Sequence, residues 1–152
     1  MNKLNEYLEQ DIWNPNYLFH GSPYEIDILE PRKSTDAQNK GNEDYAVFLT
    51  SWFINATAYA FRNKLKEMNE HYNFSMNHNG ELPAMIFRVD NLTDDLYGYV
   101  YVFNKTDDMI KDNHENTTQY RCYHELRLVD IVKVYYKDFA DYFSRESLQK
   151  SK

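Results

Sequence analysis

Chemistry is first concentrated at Leu18-Phe19-His20-Gly21-Ser22-Pro23, where an apolar run ends in a histidine followed at once by glycine. The imidazole offers a hydrogen-bonding side chain. The glycine, lacking a Cβ, lets a ligand approach the backbone closely. Alone, the same residues also fit a plain strand-end turn. A second segment, Ala46-Val47-Phe48-Leu49-Thr50-Ser51, runs into Ala56-Thr57-Ala58-Tyr59. It reads as an apolar strand feeding a helix, with an aromatic ring on each. The third segment is Glu125-Leu126-Arg127-Leu128-Val129-Asp130, in which a carboxylate opens a strand of alternating character. Alone, Glu125 fits an acid on an edge strand.

Other chemistries lack their residues. The histidines at 20, 71, 78, 114 and 124 form no His-Glu-x-x-His and no i, i+4 pair, so no metal is expected. His71, His78 and His114 read as exposed loop residues. Cys122 is the one cysteine. It can form no intrachain disulfide, and alternation in Tyr120-Arg121-Cys122-Tyr123 makes it a buried strand residue, not a nucleophile. With four glycines the chain holds no Gly-x-Gly-x-x-Gly and no phosphate loop. Lys and Arg number 17 against 24 Asp and Glu, a net charge of −7. Such a chain gains no general attraction to nucleic acid or to an anionic membrane surface. No apolar run approaches the ~20 residues of a membrane span. The polar start, Met1 to Asp11, is unlike a signal peptide. A cytoplasmic protein with one domain over residues 1–152 is expected.

The elements that must position these residues follow from periodicity. Asn2 to Gln10 predicts a short amphipathic helix, with Leu4, Tyr7 and Leu8 on one face. Tyr17 to His20 predicts a strand that stops at Gly21-Ser22-Pro23. Ile26 and Ile28 predict a brief extended piece before Pro31, and Arg32 to Asp44 a polar loop. Tyr45 to Thr50 predicts a buried strand. Phe53, Thr57, Ala60, Phe61, Leu65 and Met68 share one helical face. His71 to Leu82 reads as loop and Ala84 to Asp90 as strand. In Leu96 to Phe103, Tyr97, Tyr99, Tyr101 and Phe103 lie on one face and Leu96, Gly98, Val100 and Val102 on the other. Both faces are apolar, so this strand belongs at a sheet centre. Asn104 to Thr118 reads as irregular. Tyr120 to Tyr136 predicts about two strands, and Lys137 to Leu148 a closing helix. Strands outnumber helices without a βαβ rhythm, which argues for an α+β fold with mostly antiparallel sheets.

Taken together, the three segments resemble the ADP-ribosyltransferase fold of the diphtheria-toxin and poly(ADP-ribose) polymerase class. That class carries His-Gly-Ser/Thr on its first core strand. A later strand reads Gly-Ile-Tyr-Phe-Ala and leads into a helix with Ser-Ala-Asn-Tyr. A Glu opens a strand near the C-terminus, in a Glu-Tyr-x-Val-Tyr-Asp context. His20-Gly21-Ser22 is similar to the first. Ala46 to Tyr59 matches the second without a gap, with Phe48 at the family's Tyr, Ala56 where a serine is common, and Tyr59 at the closing tyrosine. Glu125 and Asp130 match the third in spacing, with Glu115 and Asp130 as other acids able to take its role. Tyr123-His124-Glu125 is not Glu-x-Glu, so the arginine-specific toxin subclass is not favoured.

The resemblance implies two small antiparallel sheets forming a cleft for NAD, flanked by a few helices. It implies that His20 binds a ribose hydroxyl and the Gly21 backbone the nicotinamide amide, with Ser22 completing the motif. Phe48 and Tyr59 would stack on the nicotinamide ring. Glu125 would bind the ribose 2′-hydroxyl and stabilise positive charge as the glycosidic bond breaks. The implied activity is mono-ADP-ribosyl transfer or NAD hydrolysis, with protein, nucleic acid or water as acceptor, and no metal or membrane. Two alternatives stay open: a nucleotide-binding member of the same fold that does not transfer, and a small interaction module without a ligand site.

Overall fold

A computed structural model describes residues 3–25, 28–29, 32–33, 45–112, 116–123 and 126–146. Helix α1 (Leu4–Glu9) leads into β1 (Tyr17–Ser22). The short strands β2 (Ile28–Leu29) and β3 (Arg32–Lys33) follow, then β4 (Tyr45–Thr50), α2 (Phe53–Met68), β5 (Tyr72–Met76), β6 (Met85–Val89) and β7 (Tyr97–Asn104). Next come β8 (Ile110–Lys111), β9 (Gln119–Cys122), β10 (Leu126–Arg127) and β11 (Asp130–Tyr135). A four-residue helix α3 (Tyr136–Phe139), a 3-10 turn at Ala140–Tyr142 and β12 (Phe143–Arg145) close the described chain.

The main sheet has the order β11-β7-β1-β4-β9-β8, with β3 also on β4. A second sheet is ordered β12-β6-β5, and β10 pairs with β2. Only the β12–β6 pair is parallel among the described pairings. The fold is α+β with antiparallel-dominated sheets. No helix among the described residues is long and apolar enough to cross a membrane.

Strand β7 lies between β1 and β11, as its two apolar faces required. Tyr101 and Phe103 pack with Leu18, Val47, Leu49 and Cys122 on one side of the sheet. Val100 and Val102 pack with Phe19, Phe53 and Phe61 on the other, beneath α2. The helix approaches the sheet very closely. A Cβ on Gly21 would lie 1.9 Å from the Ala56 carbonyl oxygen, and one on Gly98 would lie 2.8 Å from Ala60 Cβ. Small residues on both partners make that approach possible. At the entry to β1, the Gln10 amide holds α1 against the sheet. Its Nε2 donates to the Tyr17 and Ser51 carbonyls at 2.9 and 2.8 Å. Its Oε1 accepts from Asn16 and Tyr17 N–H at 3.2 and 3.1 Å.

Several boundaries differ from the periodicity reading. Strand β1 does not stop at His20 but runs through Gly21 and Ser22, because β7 pairs with it over its whole length. The expected loop from His71 to Leu82 contains β5, paired with β6 over five positions. The Arg32–Asp44 loop begins with a strand, Arg32–Lys33 on β4, and residues 34–44 lie outside the described set. The region from Tyr120 to Tyr136 holds three strands, not two. The expected C-terminal helix is only α3 and its 3-10 turn. Tyr136, Phe139 and Phe143 do have helical spacing, but the open edge of β6 needs backbone partners. The chain supplies them: β12 runs along β6, Ala84 N–H donates to the Tyr142 carbonyl, and Glu146 N–H donates to the Phe87 carbonyl.

The tyrosines make the fold sensitive to alkali. Tyr7 is buried and donates to Asp130 Oδ2 at 2.6 Å; burial, then that carboxylate, pushes its pKa far above the ordinary 10.0. Tyr17 donates to Glu6 at 2.7 Å, and that bond raises its pKa. Burial raises Tyr120 and Tyr136. Above pH 10 unfolded tyrosines ionise while these remain protonated, so the native state holds more protons and stability falls as pH rises. The urea midpoint is expected to stay flat from about pH 7 to 9 and to drop beyond about pH 10, with a shallower drop in Tyr7→Phe. A midpoint that holds through about pH 11 would contradict this.

Candidate functional site

The site begins with a break in the main sheet. β1 pairs with β7 at six positions and β4 with β9 at four, but β1 and β4 pair only at Phe19 and Thr50. Among the described residues no second pair joins the two strands, so a gap opens between them beyond that point. His20 bridges the gap: its Nδ1 lies 2.9 Å from the Phe48 carbonyl oxygen. A carbonyl can only accept, so this contact puts the proton on Nδ1, and a neutral imidazole then presents Nε2 as an acceptor.

A cleft of about 780 Å³ opens from this gap. β1 contributes His20 and Gly21, and β4 contributes Phe48 and Thr50. α2 lays Asn55, Tyr59, Arg62 and Lys66 along it. Those positions recur at helical spacing, so they form one stripe. Phe74 of β5 and His78 line it next to the α2 residues, and Gln119 of β9 joins them. The Tyr59 hydroxyl lies 2.7 Å from His78 Nε2, and the two rings stack with centroids 5.8 Å apart. His78 is itself held in place, because its carbonyl accepts from Thr118 N–H at 2.8 Å. Phe48 carries the Arg121 guanidinium over its ring at 5.3 Å, and Arg121 Nε donates to Asp112 at 2.8 Å.

The electrostatics of the cleft oppose those of the whole chain. Arg62 and Lys66 line it, and among its described lining residues none is an Asp or Glu. A protein of net charge −7 thus concentrates positive charge where a ligand would sit. That arrangement suits an anion such as a phosphate.

Four of the residues singled out by sequence meet here: His20, Gly21, Phe48 and Tyr59. Ser22 does not line the cleft. Its hydroxyl donates to the Tyr24 carbonyl at 2.9 Å and accepts from Tyr24 N–H at 3.1 Å, closing the turn after β1. Gly21 lines the cleft, but the space left by its missing Cβ is filled by the α2 backbone. Glu125, Glu115 and His124 lie outside the described residues. Asp130 is on β11, at the far edge of the sheet, bonded to Tyr7.

Among the lining residues that sequence reasoning missed are Asn55, Arg62, Lys66, His78 and Gln119. The polar stripe on α2 was a usable signal, but such a stripe normally faces water. His78, expected to be an exposed loop residue, is half-buried against Tyr59. His71 is exposed as expected and lies 3.1 Å from Asp90. Cys122 is buried on β9. Among the described residues no group of three His, Cys, Asp or Glu could hold a metal. No protein-family model, curated protein or solved structure matches the chain significantly.

Proposed function

We propose that the cleft binds NAD and that the protein breaks its nicotinamide–ribose bond, passing ADP-ribose to water or to an acceptor on a protein or nucleic acid. One observation carries the reading. His20, Phe48 and Tyr59, which the family resemblance singles out from two of its three segments, line one cleft. Arg62 and Lys66 add positive charge suited to a diphosphate. In this reading His20 bonds a ribose hydroxyl, and Phe48 and Tyr59 pack against the nicotinamide ring. As the glycosidic bond breaks, its electron pair leaves with nicotinamide, which departs neutral. The ribose is left as an oxocarbenium-like centre. Glu125 supplies the carboxylate that stabilises this charge, an interaction stronger in the transition state than in the ground state. The proposed setting is the cytoplasm: the one cysteine is buried and can form no intrachain disulfide, so the fold needs no oxidising compartment.

A second reading, nucleotide binding without transfer, draws on Gln119. This neutral residue is what β9 contributes to the cleft, beside lining residues that include no described carboxylate. Calorimetry with NAD and an assay for released nicotinamide separate the readings. Binding with release supports the first, and binding without release the second. No binding of NAD or of ADP-ribose leaves an interaction module. If NAD binds, His20→Ala is expected to weaken it by about 1–2 kcal/mol through loss of one sugar hydrogen bond. Tyr59→Ala should cost as much or more through lost stacking. Unchanged affinity in both, with circular dichroism intact, would move the site elsewhere.

A further inference from the structure

Among the described residues, two buried side-chain polar atoms have no hydrogen-bond partner: Asn55 Oδ1 and Arg62 Nε. Both residues belong to α2, and both line the cleft. Such atoms are uncommon in native proteins, because burial strips their water and returns nothing.

The direction of the Asn55 amide is set by its neighbour. Its Nδ2 donates to the Asn77 carbonyl at 3.0 Å. A carbonyl offers no donor, so the nitrogen must face Asn77 and the oxygen must face away. Asn55 is 1% exposed. Its Oδ1 is thus a dry acceptor, next in the chain to Ala56, whose carbonyl packs on Gly21 beside His20. Arg62 lies seven residues on, two helical turns and roughly 10 Å along the same face. Its guanidinium sits 5.6 Å from the Tyr59 ring centre and 5.8 Å from that of Phe74. Aromatic faces hold the cation in position while its Nε–H still lacks an acceptor.

A ligand that satisfies both atoms carries an N–H donor at one end and an anion about two helical turns away. We propose that Asn55 Oδ1 accepts a hydrogen bond from the carboxamide N–H of the bound nucleotide while Arg62 holds its phosphate, so that Asn55 selects a neutral carboxamide ring. This rests on the NAD reading and deepens it. Ala56 has no side-chain polar atom with which to grip the amide, and Asn55 beside it does. A ring carboxylate would be repelled by the Asn55 oxygen. A ring ketone would leave that oxygen unpaired.

The test is calorimetry with three ligands that differ only at this group: NAD, its 3-acetylpyridine analogue (a methyl ketone) and its nicotinic acid analogue (a carboxylate). The native protein is expected to bind NAD about tenfold more tightly than either analogue. In Asn55→Ala that preference should vanish, whereas Arg62→Gln should weaken all three ligands to the same degree. Equal binding of the three by the native protein overturns the proposal and leaves the NAD reading standing. So does a preference that survives Asn55→Ala. If none of the three binds, the NAD reading falls and this one with it. Should Asn55→Ala not fold, the side-chain amide resonances of Asn55 in the native protein decide. NAD must shift them and the ketone must not; equal shifts overturn the proposal.

Discussion

Gly21→Ala is expected to destabilise the protein by about 3 kcal/mol or more in urea unfolding, at the upper end for overpacking a core. The new methyl would lie 1.9 Å from the Ala56 oxygen and 2.9 Å from both Ala56 C and Ala60 N. All three are backbone atoms, so no rotamer change relieves the clash, and α2 or β1 must move. Gly98→Ala is the internal control. Its nearest neighbour, at 2.8 Å, is the Ala60 side chain, with the Ser22 carbonyl oxygen at 3.2 Å. Ala60→Gly should therefore rescue part of Gly98→Ala, measured as a coupling energy, and none of Gly21→Ala. Because α2 carries Asn55, Tyr59 and Arg62, its displacement should also reduce nucleotide affinity. A Gly21→Ala protein within about 1 kcal/mol of the native one would show that the helix does not pack this closely.

For Glu125→Gln the expected result is a fall of about 100-fold or more in nicotinamide release with little change in NAD affinity. The substitution keeps volume and most hydrogen bonding but removes the charge. If that charge stabilises an oxocarbenium-like transition state, its loss appears in turnover and not in ground-state binding. A parallel loss of affinity would instead give Glu125 a role in holding the substrate. Native protein that binds NAD but releases no nicotinamide turns attention to Phe48, which stacks but cannot donate a hydrogen bond. Phe48→Tyr restores that donor. If both proteins bind and neither releases, the nucleotide-binding reading stands and Glu125 is not catalytic.

Legibility differed by element, and the reasons are physical. The strands β4 and β7 and the helix α2 could be read because their apolar periods are strong and burial agrees with local preference. The end of the chain could not. The spacing of Tyr136, Phe139 and Phe143 fits a helix, and only the unpaired edge of β6 explains why the chain extends there. Strand β5 was hidden for a similar reason: Tyr72-Asn73-Phe74-Ser75-Met76 alternates, but polar neighbours on both sides made it resemble a loop. At the site, His20, Phe48 and Tyr59 were legible through motifs, since His20 and Phe48 lie in apolar strands and Tyr59 in a helix with a definite pattern. His78 and Gln119 carried no such local mark.

By itself the sequence determined the composition of the core, the α+β class, the absence of an intrachain disulfide, and the three segments in which ligand-binding residue types are concentrated. Each of these follows from side-chain chemistry and local period. Tertiary structure alone decided the rest. The cleft exists because β1 and β4 pair at one position and then part, and strand pairing at long range is not encoded in either strand's own alternation. The stripe of Asn55, Tyr59, Arg62 and Lys66 lines that cleft because Gly21 and Gly98 let α2 settle onto the sheet. Which polar face becomes a site thus depends on how closely two distant segments can approach.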